Sequence, residues 1–279
     1  SPPLGLNPAQ LFDDLMTDPA ALLTNLLGGA FNTVVRTVQP DLNRRLLTRK
    51  QVVEQHFAMG GAPFGHGFTS TNRQAGTAYY HFDNGAFRFV VLDTVNPNGY
   101  ADGSLDKTQF AWLTALLDQS ADRIVMVFSH HTSDTMGNPL IATGGSLEAR
   151  VTGGAVLDAL LARPQVIAWI NGHTHRNKIT PRPRPAGGGL WEITTASHID
   201  WPQQARIIEV ADNADGTLSI FTTMVDHAGP PSAGAGTANA VQLAGLAREL
   251  AANDWHQHLD GSGAPEDRNV ELLVGNPLA

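Results

Sequence analysis

Two groups of histidines occupy matching places in this chain. His130-His131 directly follows the run Arg123–Ser129 (Arg-Ile-Val-Met-Val-Phe-Ser), and His173-Thr174-His175 follows the run Val166–Asn171 (Val-Ile-Ala-Trp-Ile-Asn) through Gly172. Both runs are apolar almost throughout, as strands buried on two faces are. Ligands of α/β sheets collect at the carboxyl ends of strands, where loops are open and the sheet fixes their roots. Neutral imidazole is a good ligand for zinc, iron, manganese or nickel. Two strand-terminal histidine groups that converge on one point would therefore make a metal site. Gly172 is expected to supply the tight turn that brings both His173 and His175 inward. A His-x-His is weak evidence alone: a second one, His256-Gln257-His258, stands in a polar tail with no strand before it and reads as surface. An isolated pair such as His130-His131 is equally a hydrogen-bonded loop pair. The joint pattern is what favours ligation.

The elements that must position these loops follow from periodicity and turn chemistry. Thr77–Phe82 and Phe87–Asp93 read as strands joined by the hairpin signal Asp83-Asn84-Gly85. An amphipathic helix is expected from Ser104 to about Ser120, with Phe110, Leu113, Leu116 and Leu117 at helical spacing. The strand Arg123–Ser129, a Gly-rich stretch at Gly144–Gly154, the helix Ala155–Ala162 and the strand Val166–Asn171 continue the alternation of a layered α/β sandwich. Pro181–Gly189 reads as a loop. Leu190–Ala196, Ala205–Ala211 and Thr217–Val225 read as strands, the last two joined across Asn213–Gly216. Upstream, Asn7-Pro8 and Asp18-Pro19 start helical runs at Ala9–Met16 and Ala20–Leu27, and Thr48 with Gln51 forms a capping box for a helix reaching about Met59. Gly229–Gly236 reads as a linker, Ala238–Ala252 as a helix, and the tail from Asp254 as polar. The expected organisation is a helical prelude at 1–60, an α/β core at 61–228, and a linker, helix and tail at 229–279 on or beside that core.

Composition narrows the chemistry. The chain has 279 residues, 26 acidic and 18 basic, for a formal charge of −8. Such a balance disfavours general nucleic-acid binding, which needs clustered Lys and Arg to neutralise phosphates. A hydrophobic content of 42% excludes wholesale disorder. With no cysteine, thiolate ligands, disulfides and cysteine nucleophiles are excluded, so any metal is held by His, Asp, Glu or Asn. No apolar run approaches the roughly 18 residues of a spanning helix. Ser1-Pro2-Pro3-Leu4-Gly5 has neither the basic nor the apolar region of a signal peptide. The compartment is left open, including export of a longer precursor. Neither a Gly-x-Ser-x-Gly elbow nor a P-loop or dinucleotide fingerprint occurs.

The blocks Phe128-Ser129-His130-His131-Thr132 and Asn171-Gly172-His173-Thr174-His175 resemble the last two signature blocks of calcineurin-like metallophosphoesterases. Val91-Leu92-Asp93-Thr94 and Gly103–Leu117 resemble that family's middle section, so the likeness covers roughly residues 60–225. It implies a sandwich of two mixed sheets flanked by helices, here incomplete and preceded by a helical segment. It also implies a dinuclear centre of manganese, iron or zinc, with water attacking phosphorus. Residue by residue, His130, His173 and His175 match metal ligands. His131 then supports a ligand or faces substrate, and His130 and His131 can exchange these roles. The family's Asp-x-His, Gly-Asp and Gly-Asn-His blocks have no counterpart in place: Gly137-Asn138 and Gly275-Asn276 precede Pro, and Asp254-Trp255-His256 falls near the wrong end. The bridging Asp and the general-acid His are therefore expected outside this sequence, from a complementary N-terminal segment. Three neutral imidazoles cannot offset the repulsion of two cations, so this chain alone is expected to bind at most one metal, weakly.

Other residues invite a role beside a plain one. Asp93 closes a strand and is either an acceptor for a ligating imidazole or the cap of an Asx-turn. His66, between Gly65 and Gly67, is either a substrate-reaching loop residue or simply solvated. His198 and Asp200 follow a strand in the same zone as the histidines. Arg182 and Arg184 either attract an anion or belong to a solvated loop. The expected substrate is a small-molecule or nucleotide phosphoester. Two alternatives compete: a non-catalytic or partner-completed half-domain, and a mononuclear His-site metal-binding protein.

Overall fold

Thr48 Oγ accepts from the Gln51 N–H while the Gln51 side chain accepts from the Thr48 N–H, so helix α1 (Arg49–Ala58) opens with the expected capping box. This computed structural model describes residues 41, 43–97, 101–139, 149–230, 237–254 and 261–279. The chain divides into Ser1–Leu46 and Leu47–Ala279, and all elements named below lie in the second unit. The helices read at Ala9–Met16 and Ala20–Leu27, and His256-Gln257-His258, lie outside the described residues. After α1 come α2 (Ser70–Ala75), β1 (Tyr80–Asn84), β2 (Phe87–Val91), α3 (Lys107–Asp118), β3 (Ile124–Phe128), α4 (Gly153–Leu161) and β4 (Val166–Asn171). Then follow β5 (Lys178–Pro183), β6 (Gly189–Thr194), β7 (Gln204–Asp212), β8 (Thr217–Asp226), α5 (Ala240–Ala252) and β9 (Val270–Gly275).

The protein is a mixed α/β structure with two sheets and flanking helices. The six-stranded sheet has the order β1-β2-β3-β4-β6-β5, with β2, β3, β4 and β6 parallel and the two outer strands antiparallel. The three-stranded sheet, β7-β8-β9, is antiparallel throughout. The apolar run of β3 is explained by the layers on its two faces. Val125 and Val127 pack with Leu113, Leu117, Val156 and Leu160 of the helices. Ile124 and Met126 pack with Leu218, Ile220 and Leu272 of the second sheet. Alternate residues of one strand thus enter two separate cores. Each fully buried aliphatic side chain contributes about 1.5–3 kcal/mol of transfer free energy.

The β3–β4 register decides where the histidines fall. Val125 pairs with Val166 but Met126 pairs with Ala168, so Ile167 is an extra residue in β4. This bulge shifts the phase of β4 by one residue. Beyond the strands the ladder continues, with the Ser129 N–H donating to Ile170 O and the Gly172 N–H to His130 O. The Trp169 indole N–H also reaches Ser129 Oγ at 2.8 Å.

Two stretches differ from the sequence reading. Pro181–Gly189, read as a loop, begins inside strand β5, which pairs antiparallel with β6 from Lys178 to Pro183. Proline is tolerated there because β5 is an edge strand. The polar tail contains strand β9, whose alternate residue Leu272 is buried against the six-stranded sheet while Leu273 is 60% exposed. One buried apolar residue in two gives too weak a pattern to single out.

Candidate metal centre

The ends of β3 and β4 place imidazoles from both loops together. His130, His131 and His173 each offer a ring nitrogen, and these atoms lie within 4.8 Å of one another. His130 Nε2 and His173 Nδ1 are 3.0 Å apart. Ring centroids are separated by 5.0 Å for His130–His173 and 4.5 Å for His131–His173. Burial, first, and the neighbouring histidines hold the His130 pKa below the ordinary imidazole value. Burial also lowers that of His131, against the pull of the Ala101 carbonyl, and that of His173, against the charge of Asp102. All three are thereby biased to the neutral form, the one that ligates metal.

His131 is satisfied without a metal. It is 6% exposed. Its Nε2 lies 2.9 Å from Ala101 O, which can only accept, so Nε2 carries the proton and Nδ1 accepts from Thr94 Oγ at 2.7 Å. Gly103 makes room for this ring: a Cβ there would fall 2.4 Å from His131 Nδ1.

His175 is not in the group of three. Its Nδ1 is hydrogen-bonded to Asp200 Oδ2, and its ring still acts electrostatically on His130 and His173. The turn expected at Gly172 is made differently. His173 and His175 themselves take left-handed conformations, with φ of 66° and 56°, whereas Gly172 does not. A Cβ on Gly172 would meet only ordinary contacts. Non-glycine residues pay for left-handed backbone, and such residues concentrate at functional sites.

The remaining candidates fall elsewhere. Asp93 makes both an Asx-turn to the Val95 N–H and an ion pair with Arg49 Nε at 2.6 Å, and burial raises its pKa. His66 hydrogen-bonds Gly60 O and meets the edge of His56. Arg184 donates to the carbonyls of Leu161, Arg163, Val166 and Gly189. His198 is exposed and borders a cavity lined by Phe87, Phe89 and Phe128.

Arg182 takes part in a network that pattern reading missed. Glu192, 2% exposed, accepts from Arg182 Nε, Asn171 Nδ2, the Ser133 N–H and Ser133 Oγ at 2.8–2.9 Å. It therefore ties the last residue of β4 to the loop that follows His131. The available signal was a lone carboxylate inside the apolar run Leu190-Trp191-Glu192-Ile193. Thr94 carried a comparable signal, standing after β2 in the same zone as the histidines.

The spacing of His130 and His173 fits two donors of one ion. Imidazole nitrogens suit zinc, iron or nickel, and a tetrahedral ion with bonds of roughly 2.0 Å sets its donors about 3.3 Å apart, near the observed His130–His173 spacing. No carboxylate belongs to the group among the described residues. No helix among them is long and apolar enough to cross a membrane. No protein-family model and no curated protein matches the chain. A solved structure of a dimetal phosphatase from Danio rerio aligns at 17% identity with a TM-score of 0.36, covering 55% of this chain and 62% of that one. The aligned part thus spans less than two thirds of the zebrafish protein, and likeness at this level carries nothing about chemistry.

Proposed function

We propose that this chain is the histidine-bearing part of a metal-dependent phosphoester hydrolase, with His130, His173 and His175 as metal ligands. The observation that carries the reading is the 3.0 Å approach of His130 Nε2 to His173 Nδ1 beyond the carboxyl ends of adjacent parallel strands. The resemblance of the blocks around these residues supports it. A bound divalent ion supplies polarisation of the phosphoryl oxygens and a water of lowered pKa for in-line attack. His130 and His173 contribute neutral nitrogens held at one point. His131, with both ring nitrogens occupied, keeps the loop in place rather than ligating. A dinuclear centre of manganese, iron or zinc needs an anionic bridge. In this proposal the bridge and the protonating histidine come from a complementary segment, and the chain alone holds one ion weakly. Substrates are small-molecule or nucleotide phosphoesters.

Metal content and hydrolysis of a chromogenic phosphodiester, with manganese, zinc or iron added, test the reading. The wild-type chain is expected to take up one added ion weakly, and His130→Ala and His173→Ala to lose that uptake. Unchanged metal content in both variants overturns the proposal. The absence of a carboxylate from the histidine group favours a second reading, a single-ion binding protein. Metal bound without hydrolysis, even after mixing with a complementary polypeptide, selects that reading.

A further inference from the structure

We infer that the outer edge of β7, with the groove beside it, is the docking site for one added β-strand: an extended segment of another polypeptide whose alternate residues are apolar. The two sheets are unequal, six strands against three. Leu218, Ile220 and Leu272 of β8 and β9 close over Ile124, Met126, Ile167 and Ile193 of the larger sheet. Towards β2 this cover stops at β7. A groove of about 530 Å³ opens there, with Phe87, Phe89 and Phe128 on one wall and Ile208 and Val210 on the other, and no residue of β8 or β9 lines it. Apart from Thr195, His198 and Arg206 its lining is apolar. The three phenylalanines, Ile208 and Val210 pack against the inter-sheet core and are only partly buried. The groove is therefore that core continued outward, without a side chain to fill it among the described residues. Phe82, 50% exposed, prolongs the aromatic wall by stacking on Phe89 at 5.0 Å.

The edge selects the occupant. Among the described residues β7 pairs with β8 alone, so along Gln204–Asp212 every second residue turns its N–H and C=O away from the sheet. A small apolar molecule or a helix would fill the groove and leave that edge without partners. An extended chain serves both, because its backbone pairs with the edge while alternate side chains turn into the groove. The β2 wall runs over five residues, Phe87–Val91, roughly 16 Å, and a segment of like length spans it. Two other edges are guarded. β5 carries Pro181 and Pro183, whose nitrogens cannot donate, and Leu273 O of β9 accepts from the Trp191 indole N–H at 2.9 Å. β7 contains neither proline nor lysine, two common guards of a free edge. Docking of the strand needs no metal, so this inference stands apart from the metal-site reading.

The test uses the full chain and two synthetic peptides of equal composition. One alternates valine with threonine and lysine, and the other gathers its valines into one block. Calorimetry reports affinity, and amide shifts with hydrogen exchange report the place of binding. The alternating peptide is expected to bind saturably, to shift the amides of Gln204–Asp212 and to slow their exchange, and the block peptide to bind about tenfold more weakly or worse. Val210→Glu, which puts a charge into the groove, is expected to cost the alternating peptide about tenfold in affinity, and Phe89→Ala, which thins the other wall without adding charge, a similar loss. Ile207→Glu, on the opposite and 50% exposed face of β7, should leave binding unchanged. Absence of saturable binding, equal binding of the two peptides, or shifts confined to another edge overturns the inference. So does unchanged affinity in both Val210→Glu and Phe89→Ala. A dimer in sedimentation that Val210→Glu dissolves also overturns it, because a second copy then holds the edge. Failure of metal uptake overturns the metal-site reading and leaves this inference standing.

Discussion

The two loops that meet at the histidine cluster are held in opposite ways. The loop after β3 is held by partners. His131 is buried between Thr94 and Ala101, Thr132 caps the turn Ser133–Thr135, and Ser133 donates twice to Glu192. Its histidines keep ordinary backbone conformations. The loop after β4 is held at its root and by less buried contacts along it, the Gly172 N–H on His130 O, His173 against His130 and His175 on Asp200. Asn171 is fixed by Glu192 and Thr194, while His173 and His175 take left-handed backbone and Thr174 and Arg176 are exposed. Buried polar partners can specify a loop without strain, whereas a short loop between fixed ends must accept unusual torsions to aim its side chains. The first loop is fixed by buried hydrogen bonds, and the second carries left-handed torsions at two of its histidines.

The largest test of this contrast removes the residue that serves both loops. Glu192→Ala leaves Arg182 with the 2.7 Å bond to Ser133 Oγ and the 3.3 Å contact to Asp134, and strips acceptors from Ser133 and Asn171. It should cost about 3–5 kcal/mol in urea unfolding. A loss below 1 kcal/mol, on the order of a surface ion pair, would mean the two loops are fixed independently.

Gly103→Ala strikes the partnered loop alone. The new Cβ would lie 2.4 Å from His131 Nδ1 and 2.6 Å from Thr94 O, so His131 must move. Destabilisation of about 1–3 kcal/mol is expected, with weakened metal binding. Unchanged melting and affinity would show that His131 does not brace His130.

Strain in the other loop is read by comparing two variants that both lack the imidazole. His173→Gly should be more stable than His173→Ala by about 1 kcal/mol, because glycine adopts the φ of 66° without penalty. Equal melting temperatures would remove the strain from the account.

The smallest effect is a pH dependence. Burial, before any other cause, lowers the pKa values of His130, His131 and His173. The unfolded chain therefore takes up protons before the folded one as pH falls. Their contribution to stability is complete above the ordinary histidine value of about 6.5 and is lost as pH falls through the lower folded values. Urea midpoints between about pH 7.5 and 5 should decline, and less steeply in His131→Gln. An identical slope in that variant would assign the decline to other groups.

How much of this was legible in the chain itself differs by element. Residue types and local order determined that β3 and β4 are buried strands, that α1 starts at Thr48, and that histidines follow both strands. Those outcomes depend on contacts within a few residues, or on apolar runs that suit only a two-sided core. The chain's order did not determine which histidines face one another. That rests on the extra residue at Ile167 and on the continued pairing of Gly172 with His130. A one-residue change of register turns every side chain to the other face, and nothing local records it. Nor did it show that Thr94 and Ala101 occupy His131, that Asp200 takes His175, or that Glu192 joins both loops. Those partners lie between 21 and 59 positions away. Hydrogen bonds over such separations exist only once the sheets have brought their ends together, so packing, not sequence spacing, decides them.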